Sequence, residues 1–284
     1  KREEYHTFND LNRIGGLNFD YDFFSIYPDL SLKKINFEYF GFETKKKYEI
    51  LNIGDSFSRQ DFKGSNGYVN ILSKNSNLLN MPFSNDPFER LEHLLNNSFF
   101  DSVKVNYVIL ECVQRNFLSK VNKNPSAKIK SIVELREDDI IKKNKFLEKY
   151  FSINELDPFF SNTSLKFFTR NYLNLRIAKE QVHISTTTKP LFSYKKNQLV
   201  YYYREVTNIK QNNNIDEIKK ANNKLNSISK ELSNKNIKLI VLIPPNKYDF
   251  YYDYLINPVY PRVNFYEMLD SLEKNYIYFN PKEI

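Results

Sequence analysis

The sequence predicts an α/β fold, a parallel sheet with helices packed on it and an inserted lobe. Three observations predict it: short apolar runs recur along the chain, stretches with helical spacing lie between them, and a long insertion at about 118–210 separates the third run from the fourth. Runs apolar throughout, rather than alternating, suit strands buried on both faces, which is the usual state of a parallel sheet.

The elements follow in order. Residues 1–47 read as an N-terminal arm, and 48–284 as the domain. The first run is Glu49–Ile53, closed by Gly54, and the second is Asn77–Phe83. A helix is expected over 87–97, with Asp86 as N-cap, Pro87 in the first turn, and Phe88, Leu91, Leu94 and Leu95 on one face. Val105–Cys112 is the third run. In the insertion, helical stretches are expected at about 127–150 and 155–180, followed by a hairpin over 191–206 that turns at Lys195–Asn197. An insertion of this length exceeds a simple crossover and predicts a cap or side lobe. A helix over 215–236, with Ile215, Ile218, Leu225, Ile228 and Leu232 at helical spacing, leads into the fourth run, Ile237–Ile243, which Pro244-Pro245 stops. Tyr276–Phe279 is the fifth. The first, third and fourth runs are expected to be adjacent parallel strands.

Composition narrows the function. The formal charge is +8, but Lys, Arg, Asp and Glu are interspersed and 45–47 is the only tight basic run, so the charge predicts no nucleic-acid groove. Cys112 is the only cysteine, which rules out an internal disulfide. The longest apolar run, Leu239 to Ile243, falls far short of the roughly 20 residues that span a bilayer. The chain begins at Lys1 without an initiator methionine, leaving room for a signal or membrane anchor upstream.

Gly54-Asp55-Ser56 is the candidate for chemistry. A serine nucleophile works best where a strand ends in a tight turn and a helix begins, because free N–H groups there stabilise a developing oxyanion. Gly54 permits close backbone approach, and Ser56 is expected at the carboxyl edge of the sheet. The alternative is a plain turn with an N-cap.

The surrounding ILNIGDSFS resembles the first block of the SGNH/GDSL hydrolase superfamily. Downstream, YVILECVQRNF (107–117) is similar to the branch related to the alginate O-acetylation proteins, matching its Glu-x-Val-Glu-Arg-Asn pattern at Glu111, Arg115 and Asn116, with Gln114 in place of the second Glu. The hairpin sequence at 191–206 and the Pro245, Lys247, Tyr248 and Tyr251 strand exit resemble that branch as well, as does 257–284. The resemblance spans roughly 48–284 and implies a three-layer, flavodoxin-like SGNH sheet with an inserted helical and hairpin lobe. It further implies acyl-ester chemistry at Ser56 without a cofactor or metal, with the oxyanion held by the backbone N–H groups of Ser56 and Asn85 and support from Asp55, Glu111 and Arg115.

Two departures accompany it. The loop that normally supplies an oxyanion-hole glycine reads FSNDP, so Ser84 or Asn85 stands there; any non-proline residue still offers an N–H. The catalytic Asp-x-x-His or Asp-x-His-Trp motif is absent through Ile284. His183 with Glu180, His6 beside Glu3 and Glu4, and His93 beside Glu92 are the substitutes available within the chain, His183 foremost; the simpler expectation places the base in a C-terminal segment beyond Ile284. Glu111 and Arg115, four apart, are expected to form a supporting ion pair, Lys247 to be a solvated cation, and the tyrosines at 201–203, 248, 251, 252 and 254 mainly to pack.

The resemblance thus implies an extracytoplasmic protein, periplasmic or at the cell surface, that transfers acetyl groups to an exopolysaccharide or cell-envelope glycan beside a membrane-bound acyl donor protein. An acetylesterase is the second expectation. A glycan-binding or scaffold protein that keeps the fold without the chemistry is the third.

Overall fold

The computed structural model describes residues 37–39, 47–58, 68–81, 86–123, 182–192 and 196–283, with isolated positions between 131 and 141. The helical stretches expected within 127–150 and 155–180 lie outside the described residues apart from those isolated positions, as do Ser84, Asn85, Glu180 and His6.

Six strands form one parallel sheet: β1 (Phe37–Tyr39), β2 (Ile50–Ile53), β3 (Leu78–Met81), β4 (Tyr107–Glu111), β7 (Lys238–Leu242) and β8 (Ile277–Tyr278), in the order β1-β3-β2-β4-β7-β8. The first, third and fourth apolar runs are therefore neighbours, as expected, with Asn52 opposite Ile109 and Ile109 opposite Ile240. Three residues from the stretch read as an arm, Phe37–Tyr39, supply the edge strand β1. From β2 the chain goes to β3 on one side and then crosses back to β4 on the other. The carboxyl ends of β2 and β4 therefore flank a topological switch point, the place where open α/β sheets gather their ligands.

Period-two alternation divides the strands between two faces. Leu51, Ile53, Leu79, Met81, Val108, Leu110, Leu239 and Val241 belong to the main core. Against it pack α2 (Pro87–Asn96), α4 (Gln114–Val121), α7 (Ile215–Ser233) and α9 (Phe265–Asp270). The other face, with Ile50, Leu78 and Ile109, is covered by Val69, Tyr68 and Leu72 of α1 (Tyr68–Ser73). Each Leu or Phe buried completely in these layers contributes about 1.5–3 kcal/mol. The helices begin where their caps dictate. Asp86 Oδ1 accepts hydrogen bonds from the Phe88 and Glu89 N–H groups with Pro87 in the first turn, and Asn214 does the same for Asp216 and Glu217 at the start of α7.

The hairpin differs from its expected position. β6 (Gln198–Tyr202) pairs antiparallel with β5 (Val182–Thr186), upstream of the arm read from the sequence at 191–194. Between the two strands lie Pro190 and a hydrogen bond from the Leu191 N–H to Lys196 O. β6 ends at Tyr202 because the Glu205 carboxylate, in α5 (Arg204–Thr207), accepts the Tyr202 N–H at 3.2 Å and the Tyr248 N–H at 3.0 Å. The second bond ties the hairpin to α8 (Lys247–Phe250) at the β7 exit. Tyr201 and Tyr248 are buried and their rings meet at 4.9 Å, while the Tyr248 hydroxyl donates to Tyr260 O at 2.6 Å.

The Asp86→Ala variant is expected to lose about 1 kcal/mol, seen as a lower urea midpoint with an unchanged slope.

Candidate active site

Where β2 ends, the chain turns at once. Gly54 and Asp55 lead into a single 3-10 turn, Ser56–Ser58, so the Ser56 backbone stands at the carboxyl edge of the strand. The side chain of Ser56 itself lies outside the described residues. Asp55 holds the turn from within: its Oδ1 accepts the Phe57 N–H at 3.0 Å, its carbonyl accepts the Ser58 N–H at 3.1 Å, and its Oδ2 accepts the Val113 N–H at 3.2 Å. The last bond stitches the β2 exit to the β4 exit across the switch point. Asp55 is thus a structural acceptor for backbone donors on both strand exits.

Glu111 closes β4 and is wholly buried. Its Oε2 accepts the Asp55 N–H at 2.9 Å and lies 2.8 Å from Ser58 Oγ. Ser58 Oγ lies 2.7 Å from the Tyr68 hydroxyl, which in turn lies 3.0 Å from Asn52 Oδ1. Asn52 Nδ2 donates to Asn80 Oδ1 at 2.6 Å, and Asn80 Nδ2 donates to the Ser58 carbonyl at 3.1 Å. Alternation puts these groups on the face covered by α1, since Asn52 and Asn80 sit opposite each other in register and Glu111 is two residues beyond Ile109. Burial pushes the Glu111 carboxyl well above the usual carboxylate range, and the neighbouring Asp55 charge adds to the effect. Burial likewise raises Tyr68, with Glu111 contributing.

Gly54 is required by space. A Cβ there would collide with Ser58 Oγ, and would approach Ser58 Cβ to 2.7 Å and Glu111 Oε2 to 2.5 Å. The turn packs directly onto the end of β4, and only a residue without a side chain fits between.

The expected Glu111–Arg115 ion pair gives way to other partners. Glu111 ends a strand and engages Asp55 and Ser58, whereas Arg115 lies in α4, with its guanidinium 5.9 Å from the Tyr202 ring centroid and its charge acting on Glu205. Burial raises Glu205, against its two backbone donors and the charges of Arg115 and Lys247. Lys247 reaches solvent as expected, yet the protein packed about it pushes its ammonium below the ordinary lysine value, a shift that Glu205 opposes. A second set of bonds joins β4 to β7: Gln114 Nε2 donates to Asp249 Oδ2 at 2.6 Å and Gln114 Oε1 accepts the Asn246 N–H at 2.8 Å. Asp249 also pairs with Lys282 at 2.6 Å.

The two described histidines are engaged elsewhere. His183 lies on β5, 5.4 Å from the Tyr201 ring and 5.5 Å from the Tyr260 ring, and His93 lies in α2, 3.7 Å from Glu89. Its partner in the sequence reading, Glu92, instead pairs with Lys224 at 2.8 Å. Among the described residues no group of His, Cys, Asp and Glu side chains is placed to hold a metal ion. No described helix is long and apolar enough to cross a membrane. A depression of about 370 Å³ beside α7 is lined by Asn222, Asn226 and Glu273. Its asparagines already donate to the Glu273 carbonyl.

Sequence reasoning missed Ser58, Tyr68, Asn52, Asn80 and Glu205. One signal was available: each of the first two apolar runs carries an asparagine in its interior, ILNI and LLNM, and a buried amide demands partners.

No protein-family model, no curated protein and no solved structure matches this chain.

Gly54→Ala is expected to lower stability by about 3 kcal/mol or more, because both colliding groups are themselves hydrogen-bonded and cannot withdraw without loss. Chemical denaturation compared with the wild-type chain measures it.

Proposed function

We propose that the protein is a serine acyl-ester enzyme of the SGNH type, an O-acetyltransferase acting outside the cytoplasm on an exopolysaccharide or cell-envelope glycan. The observation that carries this reading is the position of Ser56, on a tight turn that leaves the carboxyl end of β2 at the switch point of a parallel sheet. Ser56 Oγ attacks the carbonyl of a donor acetyl ester as a general base takes its proton. The donor alcohol leaves with a proton, and an acetyl-Ser56 ester remains. A sugar hydroxyl then attacks that ester and regenerates the serine; water in its place makes the enzyme an esterase. The oxyanion formed in both steps is assigned to the N–H groups of Ser56 and Asn85. A membrane-bound protein supplying the acetyl group, and the glycan receiving it, are the partners of this reading.

A glycan-binding module is the second reading, favoured by the engagement of His93 with Glu89 and of His183 with tyrosine rings.

The test uses the full-length protein and an activated acetyl ester. Wild type is expected to accumulate acetyl on Ser56, detected by peptide mass spectrometry, and Ser56→Ala to lose at least about 10²-fold in turnover, within the range typical of assisted serine nucleophiles. His183→Ala is expected to leave the rate unchanged. Equal turnover in wild type and Ser56→Ala sinks the enzyme reading, and glycan binding without turnover in either supports the binding module.

A further inference from the structure

Beneath the Ser56 turn, the hydrogen bonds can be counted proton by proton. The Ser58 carbonyl can only accept, so the Asn80 group facing it is the amide NH₂. Asn80 Oδ1 therefore faces Asn52, which must present its own NH₂, and Asn52 Oδ1 is left facing Tyr68. An amide oxygen cannot donate, so the single Tyr68 hydroxyl proton goes to Asn52. The contact between Tyr68 and Ser58, at 2.7 Å, must then use the single proton of Ser58. That leaves the contact between Ser58 Oγ and Glu111 Oε2, at 2.8 Å, without a proton from either hydroxyl group.

We infer that Glu111 is a neutral carboxylic acid whose hydroxyl donates to Ser58, feeding a ring of hydrogen bonds that starts and ends on Ser58 and making Glu111 the positioning residue of the turn carrying Ser56. The ring runs in one direction: Glu111 to Ser58 Oγ, to Tyr68, to Asn52, to Asn80, to the Ser58 carbonyl. Bonds aligned head to tail polarise one another and strengthen together. The ring joins β2, β3 and α1 with both ends on Ser58, two residues after Ser56, and Glu111 ties it to β4. The remaining oxygen of Glu111, Oε1, is buried and has no hydrogen-bond partner among the described residues. That is tolerable for the carbonyl of a neutral acid and far more costly for an ionised carboxylate. Of the groups that face Glu111, the Asp55 carboxylate opposes a second negative charge and Ser58 and Tyr68 are hydroxyls; the Asp55 N–H and the Ser58 contact act the other way, and burial outweighs them. Its strand neighbour on β7 is Leu242.

The pH dependence follows. A glutamate raised in the fold confers stability that is complete below its ordinary value, and that stability is lost as pH rises through the raised value. The consequence for Ser56 rests on the function proposed above; the proton on Glu111 does not.

Difference infrared spectroscopy on the full-length protein, wild type against Glu111→Gln, tests it. A protonated carboxyl stretch is expected at neutral pH in wild type and absent from the variant; a carboxylate signal alone overturns the inference. Tyr68→Phe supplies a readout that burial alone would not move. It releases the Ser58 proton to point at Glu111, so the acid band is expected to disappear at lower pH than in wild type, and disappearance at the same or higher pH overturns the proton count. In wild type, acetylation of Ser56 is expected to fall at the alkaline pH where the band is lost. An intact, titrating band with no acetylation at any pH would sink the function proposed above and leave the role of Glu111 standing.

Discussion

A carboxyl group buried where two strands of a parallel sheet end sets the terms for everything above it. Glu111 is placed by β4, yet its Oε2 engages the neighbouring strand's exit, at the Asp55 N–H and the Ser58 hydroxyl. Burial opposes a charge there, and an apolar residue would take away the acceptor of the Asp55 N–H and one of the two partners of Ser58 Oγ. The group that satisfies both demands is a polar one that accepts and donates. This is why the chain can leave β2 through an abrupt turn in the middle of a sheet, with no gradual exit.

Close approach is the second half of the same constraint. The turn is held from below by the ring through Asn52, Asn80 and Tyr68, and from the side by Asp55 reaching the Val113 N–H. The space left between the turn and Glu111 admits no Cβ at position 54. Rigidity of this kind suits the role proposed for Ser56, since an attacking oxygen and its N–H donors must hold their geometry without reorganising. The β4 and β7 exits are bolted separately, by Gln114 bonding to both Asn246 and Asp249. The edge of the sheet at the switch point thus rests on side-chain hydrogen bonds rather than on apolar packing, which fills the layers beneath.

What could be read in the sequence is what local physics encodes. Runs such as LIVLI and YVILE are apolar on both faces, and only a covered parallel sheet uses such runs side by side, so the adjacency of β2, β4 and β7 was legible. Asp86-Pro87 and Asn214 announced their helices through capping chemistry. The hairpin was half legible. Lys196 and Asn197 do turn, but the strand that β6 pairs with is the less apolar VHIST, and pairing partners beyond a turn are chosen by packing, here of Tyr201 on Tyr248. Glu111 was legible as a residue of interest and illegible in its partner. Spacing of four suggested Arg115, whereas the strand's alternation aims the side chain at the α1 face, where Ser58 waits 53 residues away in sequence.

The asparagines show why a site is harder to read than a fold. Asn52 and Asn80 sit in runs whose neighbours argue for an apolar core, and each alone looks like a local weakness in a strand. In register they face each other, and the pair gains meaning only because Ser58 offers its carbonyl to one and Tyr68 its hydroxyl to the other. Polar groups in a core are tolerable when every member of their network is satisfied, so the network must be assembled whole by the tertiary fold. Here the assembly lies under the one turn that carries Ser56. A chain that needed only a turn would have no use for two buried amides, a tyrosine and an acid beneath it. The placement of that polar set, against strands otherwise rich in Leu, Ile and Val, makes the Gly54–Ser58 turn, like the Gln114–Asp249 junction beside it, a place where the apolar core is interrupted.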